Sequence, residues 1–231
     1  MVTQPMNCNM QALVTIIDYS HIEMVEEHYR RYGLPINIVT HGYGAAKPEL
    51  YNILGFGEHK KAVFLSIITE NMARHLLKKL AVDFHLDKPG RGIAFTLPIN
   101  GASNALNQLC MISDRNMRIE SEDESMTQTE GNDLILTIVN HGFYDQIIEA
   151  VRATGAKGGT LLHGRGIAND ETSKFFGITI QPEKDILLII VSHKIKHQVM
   201  ESINKVAGIT TEGRGICISL PVSAAQGLLK D

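Results

Sequence analysis

The chain has 231 residues, of which 44% are apolar and 20% are charged, and its formal net charge is −3. This composition is ordinary for a globular protein and argues against a nucleic-acid-binding surface, which needs clustered excess Lys and Arg. Three cysteines without a CxxC spacing indicate neither a disulfide framework nor a zinc finger. No segment approaches the roughly 20 apolar residues that span a bilayer, and no signal-peptide pattern opens the chain, so we expect a cytoplasmic protein without membrane insertion.

The predicted elements occur twice. An apolar, β-branched run opens each copy and predicts a buried strand, and a helical periodicity ending at Gly33 or Gly155 follows it. A second strand, a third strand, a second helix and a last strand complete each copy. The predicted strands are 12–17, 36–41, 62–68 and 93–97 in the first copy and 134–139, 159–163, 186–191 and 216–220 in the second. The fold class is therefore α+β, with two tandem ferredoxin-like (βαββαβ) domains.

The two copies align without gaps over long segments. The matched segments are 12–54 with 134–176 and, after a one-residue shift, 60–98 with 183–221. A self-match of this length indicates a duplicated structural unit. The predicted divisions are a first domain at 11–100, a linker at 101–132 and a second domain at 133–231. The linker is acidic and polar from residue 110 onward and reads as solvated, and a short helix is expected after each fourth strand, at 102–109 and at 224–229.

Glycine-rich turns are the repeated feature that points to binding. His41-Gly42-Tyr43-Gly44 and His163-Gly164-Arg165-Gly166 follow the second strands, and Gly90-Arg91-Gly92 and Gly213-Arg214-Gly215 precede the fourth strands. Glycines let several backbone N–H groups surround an anion, and a nearby arginine adds charge-assisted hydrogen bonds. The alternative is that these glycines only shape tight turns and that the arginines are solvated or ion-paired.

The second copy resembles the P-II nitrogen regulatory family. The resemblance rests on residues 153–166, on Glu212-Gly213-Arg214-Gly215 and on Leu220-Pro221-Val222, whereas the first copy matches mainly in order, spacing and glycine turns. The resemblance implies a non-enzymatic, nitrogen-regulatory signalling protein that forms a homotrimer. It also implies binding of ATP, ADP or another adenine nucleotide between subunits. An extended T-loop after the second strand would regulate an unidentified enzyme, transporter or regulator.

The resemblance also implies which residues bind the nucleotide. By motif position, Thr160, Gly164, Arg165 and Gly166 lie at the base of the T-loop, and Glu212, Gly213, Arg214 and Gly215 form the phosphate-facing B-loop. The corresponding residues of the first copy are Gly42, Gly44, Gly90, Arg91 and Gly92. Ile216 stands where family members carry a B-loop lysine, so an arginine would have to supply the positive charge. A dimer remains an alternative to the trimer.

Two other function classes remain as alternatives. The first is a metal- or small-metabolite-binding trimer on the same scaffold, without nucleotide sensing, because a shared fold does not determine function. The sequence nevertheless indicates no metal site: His193 and His197 have helical i, i+4 spacing, but no third ligand is evident. The second is an enzyme, which is not expected, because no constellation of acid, base and nucleophile recurs in both copies.

Overall fold

The computed structural model describes residues 9–44, 60–116, 131–166, 174–175, 178–179 and 183–228. The chain divides into two compact units. Unit 1 combines Met1–His41, Lys61–Gly131 and Pro221–Asp231, and unit 2 combines Gly42–Lys60 and Asn132–Leu220. This division by contacts assigns residues 42–60 to the unit built on the second copy and residues 221–231 to the unit built on the first. The predicted T-loops lie largely outside the described residues.

The described elements follow the predicted order in both copies. The strands are β1 Met10–Asp18, β2 Asn37–Gly44, β3 Lys60–Thr69, β4 Gly92–Ile99, β5 Asn132–Asn140, β6 Thr160–Arg165, β7 Lys174–Phe175, β8 Ile178–Thr179, β9 Glu183–Ser192, β10 Ile216–Val222 and β11 Ala224–Gln226. The helices are α1 Ile22–Arg31, α2 Glu70–Asp83, α3 Asn104–Asn116, α4 Tyr144–Arg152 and α5 Lys196–Ala207, with a 3₁₀ turn at Tyr19–His21. Within the described ranges, no helix combines the length and apolar composition needed to cross a bilayer.

The sheet of unit 1 has the strand order β2-β3-β1-β4-β11. Strand β1 lies antiparallel between β3 and β4, and the predicted apolar stripe of α2, Met72, Leu76 and Leu80, is fully buried against this sheet. The hydroxyl of Thr69 caps α2 by accepting a hydrogen bond from the N–H of Met72 at 3.1 Å. The helical periodicity therefore predicted the core of this unit correctly.

Helix α3 corrects the interpretation of the segment after β4. Its residues overlap the segment that was expected to be a solvated linker, yet Cys110 is fully buried and its thiol donates to the carbonyl of Ile67 at 3.4 Å. The hydroxyl of Thr69 donates to Asp114 at 3.1 Å in the same helix. A short helix was expected at 102–109, but α3 continues to Asn116, and these contacts give it a buried side within the segment expected to be a solvated linker.

Residues 224–226 correct a second expectation. A helix was expected there by analogy with 102–109, but these residues form β11, which pairs antiparallel with β4. The N–H of Ser223 donates to the carbonyl of Thr96 at 2.9 Å and starts this pairing. The edge of β4 provides hydrogen-bond partners for the backbone of this segment when it is extended. The segment therefore forms a strand, although its sequence resembles that of 102–109.

The sheet of unit 2 has the strand order β10-β5-β9-β6, and Tyr43 and Gly44 from the end of β2 pair with Leu161 and Thr160 on β6. Strand β9 pairs antiparallel with both β5 and β6. Its buried positions alternate, and the buried face carries Leu187, Ile189 and Val191 together with Asp185. A carboxylate thus shares the core face of an otherwise apolar strand.

Candidate functional site

The Gly-Arg-Gly loop of the second copy lies between α5 and β10 and packs closely on the end of the helix. A Cβ atom on Gly215 would lie 2.3 Å from the carbonyl oxygen of Ala207, and one on Gly213 would lie 3.1 Å from three atoms of the same residue. The N–H of Gly215 donates to the Ala207 carbonyl at 2.8 Å. Both glycines are therefore needed for this approach of the loop to the helix.

The backbone donors of this loop are used within the loop. The N–H of Gly213 donates to the hydroxyl of Thr211 and the N–H of Arg214 donates to the carbonyl of Thr211, each at 3.2 Å. With the Gly215 bond, all three N–H groups that the sequence suggested as an anion cradle have acceptors inside the protein. Ligand recognition at this loop must therefore depend on side chains.

The side chain of Arg214 is the exposed cation of the loop. Its φ angle is +43°, in the left-handed region that side-chain-bearing residues rarely adopt. Among the residues that the structure describes, none forms a hydrogen bond or ion pair with its guanidinium. Arg214 instead lines a cleft of about 610 Å³ together with Ile209, Thr210, Thr211 and Glu212. The structure thus brings two predicted ligand residues, Glu212 and Arg214, to one concave surface.

Asn140 at the end of β5 fixes this loop to the sheet. Its N–H donates to the carbonyl of Gly213 and its side-chain amide donates to the carbonyl of Glu212, both at 2.9 Å. The amide oxygen accepts a hydrogen bond from the Lys184 ammonium at 2.7 Å. The loop that lines the cleft is therefore hydrogen-bonded to the end of β5.

The predicted base of the T-loop has a different local structure from the one expected. Gly164 was expected in a turn but lies within β6, paired with Lys184, and only Gly166 follows the strand. Because side chains alternate along a strand, Thr160 and Arg165 project to opposite faces. Thr160 is buried whereas Arg165 is exposed.

Within unit 2 the two arginine segments do not meet. Arg165 ends β6 and Arg214 immediately precedes β10, and β9 and β5 lie between these two strands. Three strand spacings correspond to about 14 Å. The backbone positions of the two arginines are therefore separated across the sheet, and only their long side chains could reach a shared ligand.

The glycines of the first copy have structural explanations of their own. Gly42 and Gly44 lie in β2 rather than in a turn, and a Cβ on Gly42 would lie 2.9 Å from the Leu161 carbonyl oxygen. Gly90 and Gly92 have φ angles of +79° and +138°. Arg91 between them is exposed, and its φ is not in the left-handed region.

A cluster that the sequence did not predict lies at the end of the unit 2 sheet. The Nδ1 atoms of His141 and His163 lie 2.9 and 3.1 Å from the same oxygen, Oδ1 of Asp185. Hydrogen bonding to Asp185 raises the pKa of His141 above its ordinary value. The available signal was Asp185 itself, a charged residue at a core-facing position of an apolar strand.

His193 and His197 do not lie together on one helix, although their spacing in the sequence allows it. His193 lies in the turn before α5, which begins at Lys196, and its ring bonds to Asp133 at 2.7 Å. Lys196 and Ser219 also donate to Asp133. Burial acts to raise the pKa of Asp133, but these three hydrogen bonds outweigh burial and hold it below its ordinary value. This cluster connects β5, α5 and β10 and serves the stability of unit 2.

Comparison with known proteins gives structural matches alone. No family model matches the chain, and no curated protein matches it. The chain is similar to a solved structure of Arabidopsis thaliana PII bound to citrate, with 21% identity, a TM-score of 0.32, and coverage of 43% of this chain and 81% of that one. It is also similar to B. subtilis GlnK at 18% identity and a TM-score of 0.32, over 40% of this chain and 86% of that one. The chain is similar to a B. subtilis GlnK–ATP complex at 15% identity and a TM-score of 0.33, over 43% of this chain and 95% of that one.

Proposed function

We propose that this protein is a P-II-like signal-transduction protein, without catalysis of its own, that binds an adenine nucleotide at the Glu212–Arg214 cleft. The nucleotide, ATP or ADP, would control how the segments after β2 and β6 engage a regulated enzyme, transporter or regulator. The proposal is supported by the order and spacing of the second-copy motifs and by the exposed cation and carboxylate that line one cleft.

The observation that carries the proposal is the backbone conformation of Arg214. A non-glycine residue in the left-handed region costs about 1–2 kcal/mol, and a glycine would avoid that cost. The neighbours on both sides are glycines, yet an arginine occupies the strained position, exposed and beside the cleft. Strain of this kind is found at functional sites, and here it places an exposed guanidinium at the rim of the cleft.

The cleft residues have complementary roles in this proposal. The planar guanidinium of Arg214 binds phosphate oxygens through paired charge-assisted hydrogen bonds. The carboxylate of Glu212 accepts hydrogen bonds from the ribose hydroxyls. Arg165 would approach the phosphates from a neighbouring subunit of a homotrimer, because the resemblance implies nucleotide binding between subunits. Nucleotide binding then favours one loop arrangement by its difference in affinity for the two arrangements.

The second copy is the better nucleotide site of the two. At the positions matched to Thr160, Arg165 and Glu212, the first copy carries a non-ligating Ile38, an uncharged Tyr43 and Pro89. These exchanges remove a hydroxyl, a positive charge and a negative charge. We therefore expect one nucleotide for each chain, with the first copy completing the assembly.

A nucleotide panel tests the proposal directly. ATP, ADP, AMP, cyclic AMP and 2-oxoglutarate are compared by thermal shift and calorimetry on the full chain and on two variants, Arg214→Ala and Arg91→Ala. Loss of a charge-assisted phosphate contact worth about 1.5–3 kcal/mol weakens binding roughly 10- to 150-fold in Arg214→Ala. Arg91→Ala should bind as the natural chain does.

Two results would contradict this assignment. If no nucleotide stabilises the protein, the sensor function is wrong and a metal- or metabolite-binding role takes its place. If a nucleotide binds equally well to Arg214→Ala, the phosphate contact lies elsewhere, with Arg165 the next residue to substitute. Sedimentation equilibrium with and without nucleotide tests the homotrimer against the dimer.

A further inference from the structure

His141, His163 and Asp185 come from three different parts of unit 2 and converge at one end of its sheet. His141 directly follows β5, His163 lies on β6, and Asp185 lies on β9 between them. His163 is the cross-strand partner of Asp185, and Val139, two residues before His141, is its partner on the other side. One nitrogen from each ring and one carboxylate oxygen all lie within 4.8 Å of one another.

The distances within this cluster suit a metal ion. In a tetrahedral zinc site the ligand bonds are about 2.0–2.1 Å, which places neighbouring ligand atoms about 3.3 Å apart. The two Nδ1 atoms lie 2.9 and 3.1 Å from Oδ1 of Asp185. Both distances are close to this ligand separation, so an ion between the rings and Oδ1 could replace the two hydrogen bonds.

The surroundings of Asp185 support the same conclusion. The residue is 1% exposed, whereas His141 and His163 are 55% and 45% exposed. The N–H of Gly142 donates to Oδ2 of Asp185 at 3.1 Å, which orients the carboxylate and leaves Oδ1 directed at the imidazoles. A buried anion with two half-exposed imidazoles forms a site that an ion can enter from solvent, with a position left for water or another ligand.

The first copy provides an internal comparison. The residues matched to His141, His163 and Asp185 are Tyr19, His41 and Ala62. There the Tyr19 hydroxyl bonds to Nε2 of His41 at 3.1 Å, and the two rings lie 5.0 Å apart. The first copy thus keeps a paired-ring arrangement without a carboxylate or a second imidazole. At the matched positions, two imidazoles and a carboxylate therefore occur together in the second copy and not in the first.

We propose that His141, His163 and Asp185 bind one divalent transition-metal ion per chain, with zinc the best match to two imidazoles and one carboxylate. The site lies along the same end of the sheet as the nucleotide cleft. Asn140, the residue that holds the Glu212 and Gly213 carbonyls, directly precedes His141, and Arg165 follows His163 by two residues. An ion here would fix the spacing of β5, β9 and β6, the three strands at whose ends the ligands lie.

Zinc binding to the full chain tests this proposal. The protein is treated with a chelator, dialysed, and titrated with zinc chloride by calorimetry and in competition with a chromophoric chelator. Cobalt(II) is used in parallel, because its visible absorption reports tetrahedral coordination by nitrogen and oxygen. We expect one ion per chain and a cobalt spectrum of tetrahedral type.

Three variants identify the ligands. His141→Tyr reproduces the first copy at a half-exposed position, and Asp185→Asn keeps the shape of the buried residue. Each should weaken zinc binding by roughly 100-fold or more, because even indirect partners of a metal contribute 10–100-fold. His193→Ala is the matched control, since His193 is also exposed and also bonds through Nδ1 to a buried aspartate, Asp133. It should bind zinc as the natural chain does.

The outcomes separate this site from the nucleotide site. A natural chain that takes up no zinc, or a His141→Tyr variant that binds zinc unchanged, would overturn the proposal. Loss of binding in His193→Ala would overturn it as well, because the ion would then lie elsewhere. None of these measurements requires a nucleotide, so a failure of the nucleotide panel leaves the metal result interpretable, and the reverse also holds.

Discussion

Replacing Arg214 with glycine should separate stability from binding at the cleft. The φ angle of +43° costs about 1–2 kcal/mol for a residue with a side chain, and glycine removes that cost. Glycine in turn loses about 0.5–1 kcal/mol through the greater freedom of the unfolded chain. The expected net result for Arg214→Gly is a gain of about 0–1.5 kcal/mol in the free energy of unfolding.

Urea unfolding of three chains measures this balance: the natural protein, Arg214→Gly and Arg214→Ala. The alanine variant keeps the left-handed backbone and loses the guanidinium, so it should be less stable than the glycine variant. Arg91→Gly is the control from the first copy, where φ is not left-handed, and it should lower stability by about 0.5–1 kcal/mol.

Nucleotide binding should move in the opposite direction. Both substitutions at Arg214 remove the proposed phosphate contact and should weaken ATP or ADP binding roughly 10- to 150-fold. A glycine variant that is less stable than the natural protein would refute the argument from strain. A glycine variant that is more stable but binds nucleotide normally would show that the strain serves something other than phosphate recognition.

Two further substitutions test the described cores. Tyr29→Phe should lower the free energy of unfolding by about 1–2 kcal/mol, because it leaves the buried Thr15 hydroxyl without the Tyr29 hydroxyl 2.6 Å away. Adding Thr15→Val removes the unpaired hydroxyl and should restore much of that loss, as measured by urea unfolding. Asp133→Asn should lower the free energy of unfolding by about 1–3 kcal/mol at neutral pH. The difference in stability between this variant and the natural chain should become smaller below about pH 4, as measured by unfolding across a pH series.

The pH dependence follows from the sign of the Asp133 shift. Its pKa is lower in the folded protein than in the unfolded chain, so the ionised carboxylate stabilises the fold above its ordinary pKa. That contribution disappears as the pH falls through the folded-state value. A difference between the natural chain and Asp133→Asn that stayed constant through acid would contradict this reasoning. For the Thr15–Tyr29 hydrogen bond, a double variant as unstable as Tyr29→Phe alone would contradict the prediction that Thr15→Val restores stability.

Local periodicity predicted the architecture of each copy. The apolar stripe of α2 and the β-branched runs of β1 and β5 depend on neighbouring residues in the sequence, and the structure has these elements close to where they were expected. The glycine segments were predicted as turns at strand ends, but Gly42 and Gly164 lie within strands. A glycine that permits close packing between strands and one that permits a turn look alike in sequence.

Contacts between distant residues account for what the sequence did not reveal. Cys110 becomes buried through a carbonyl 43 residues earlier, and the 224–226 segment becomes a strand because β4 offers an open edge. The Asp185 cluster unites residues separated by 44 and 22 positions. A local sequence pattern does not show which distant residues become neighbours, whereas the pairing of strands in the structure does.

The differences between the copies are more informative about function than their shared glycines. Gly92 and Gly215 occupy matched positions, and in both a Cβ would lie within 2.5 Å of a backbone carbonyl oxygen, so close packing alone accounts for them. The charged groups behave differently: Asp185 is matched by Ala62 and Glu212 by Pro89. Two copies with similar strands, of which only the second carries a carboxylate at both of these positions, are expected when folding requires both copies and binding requires one. Nucleotide and metal should therefore each bind once per chain, in the second copy.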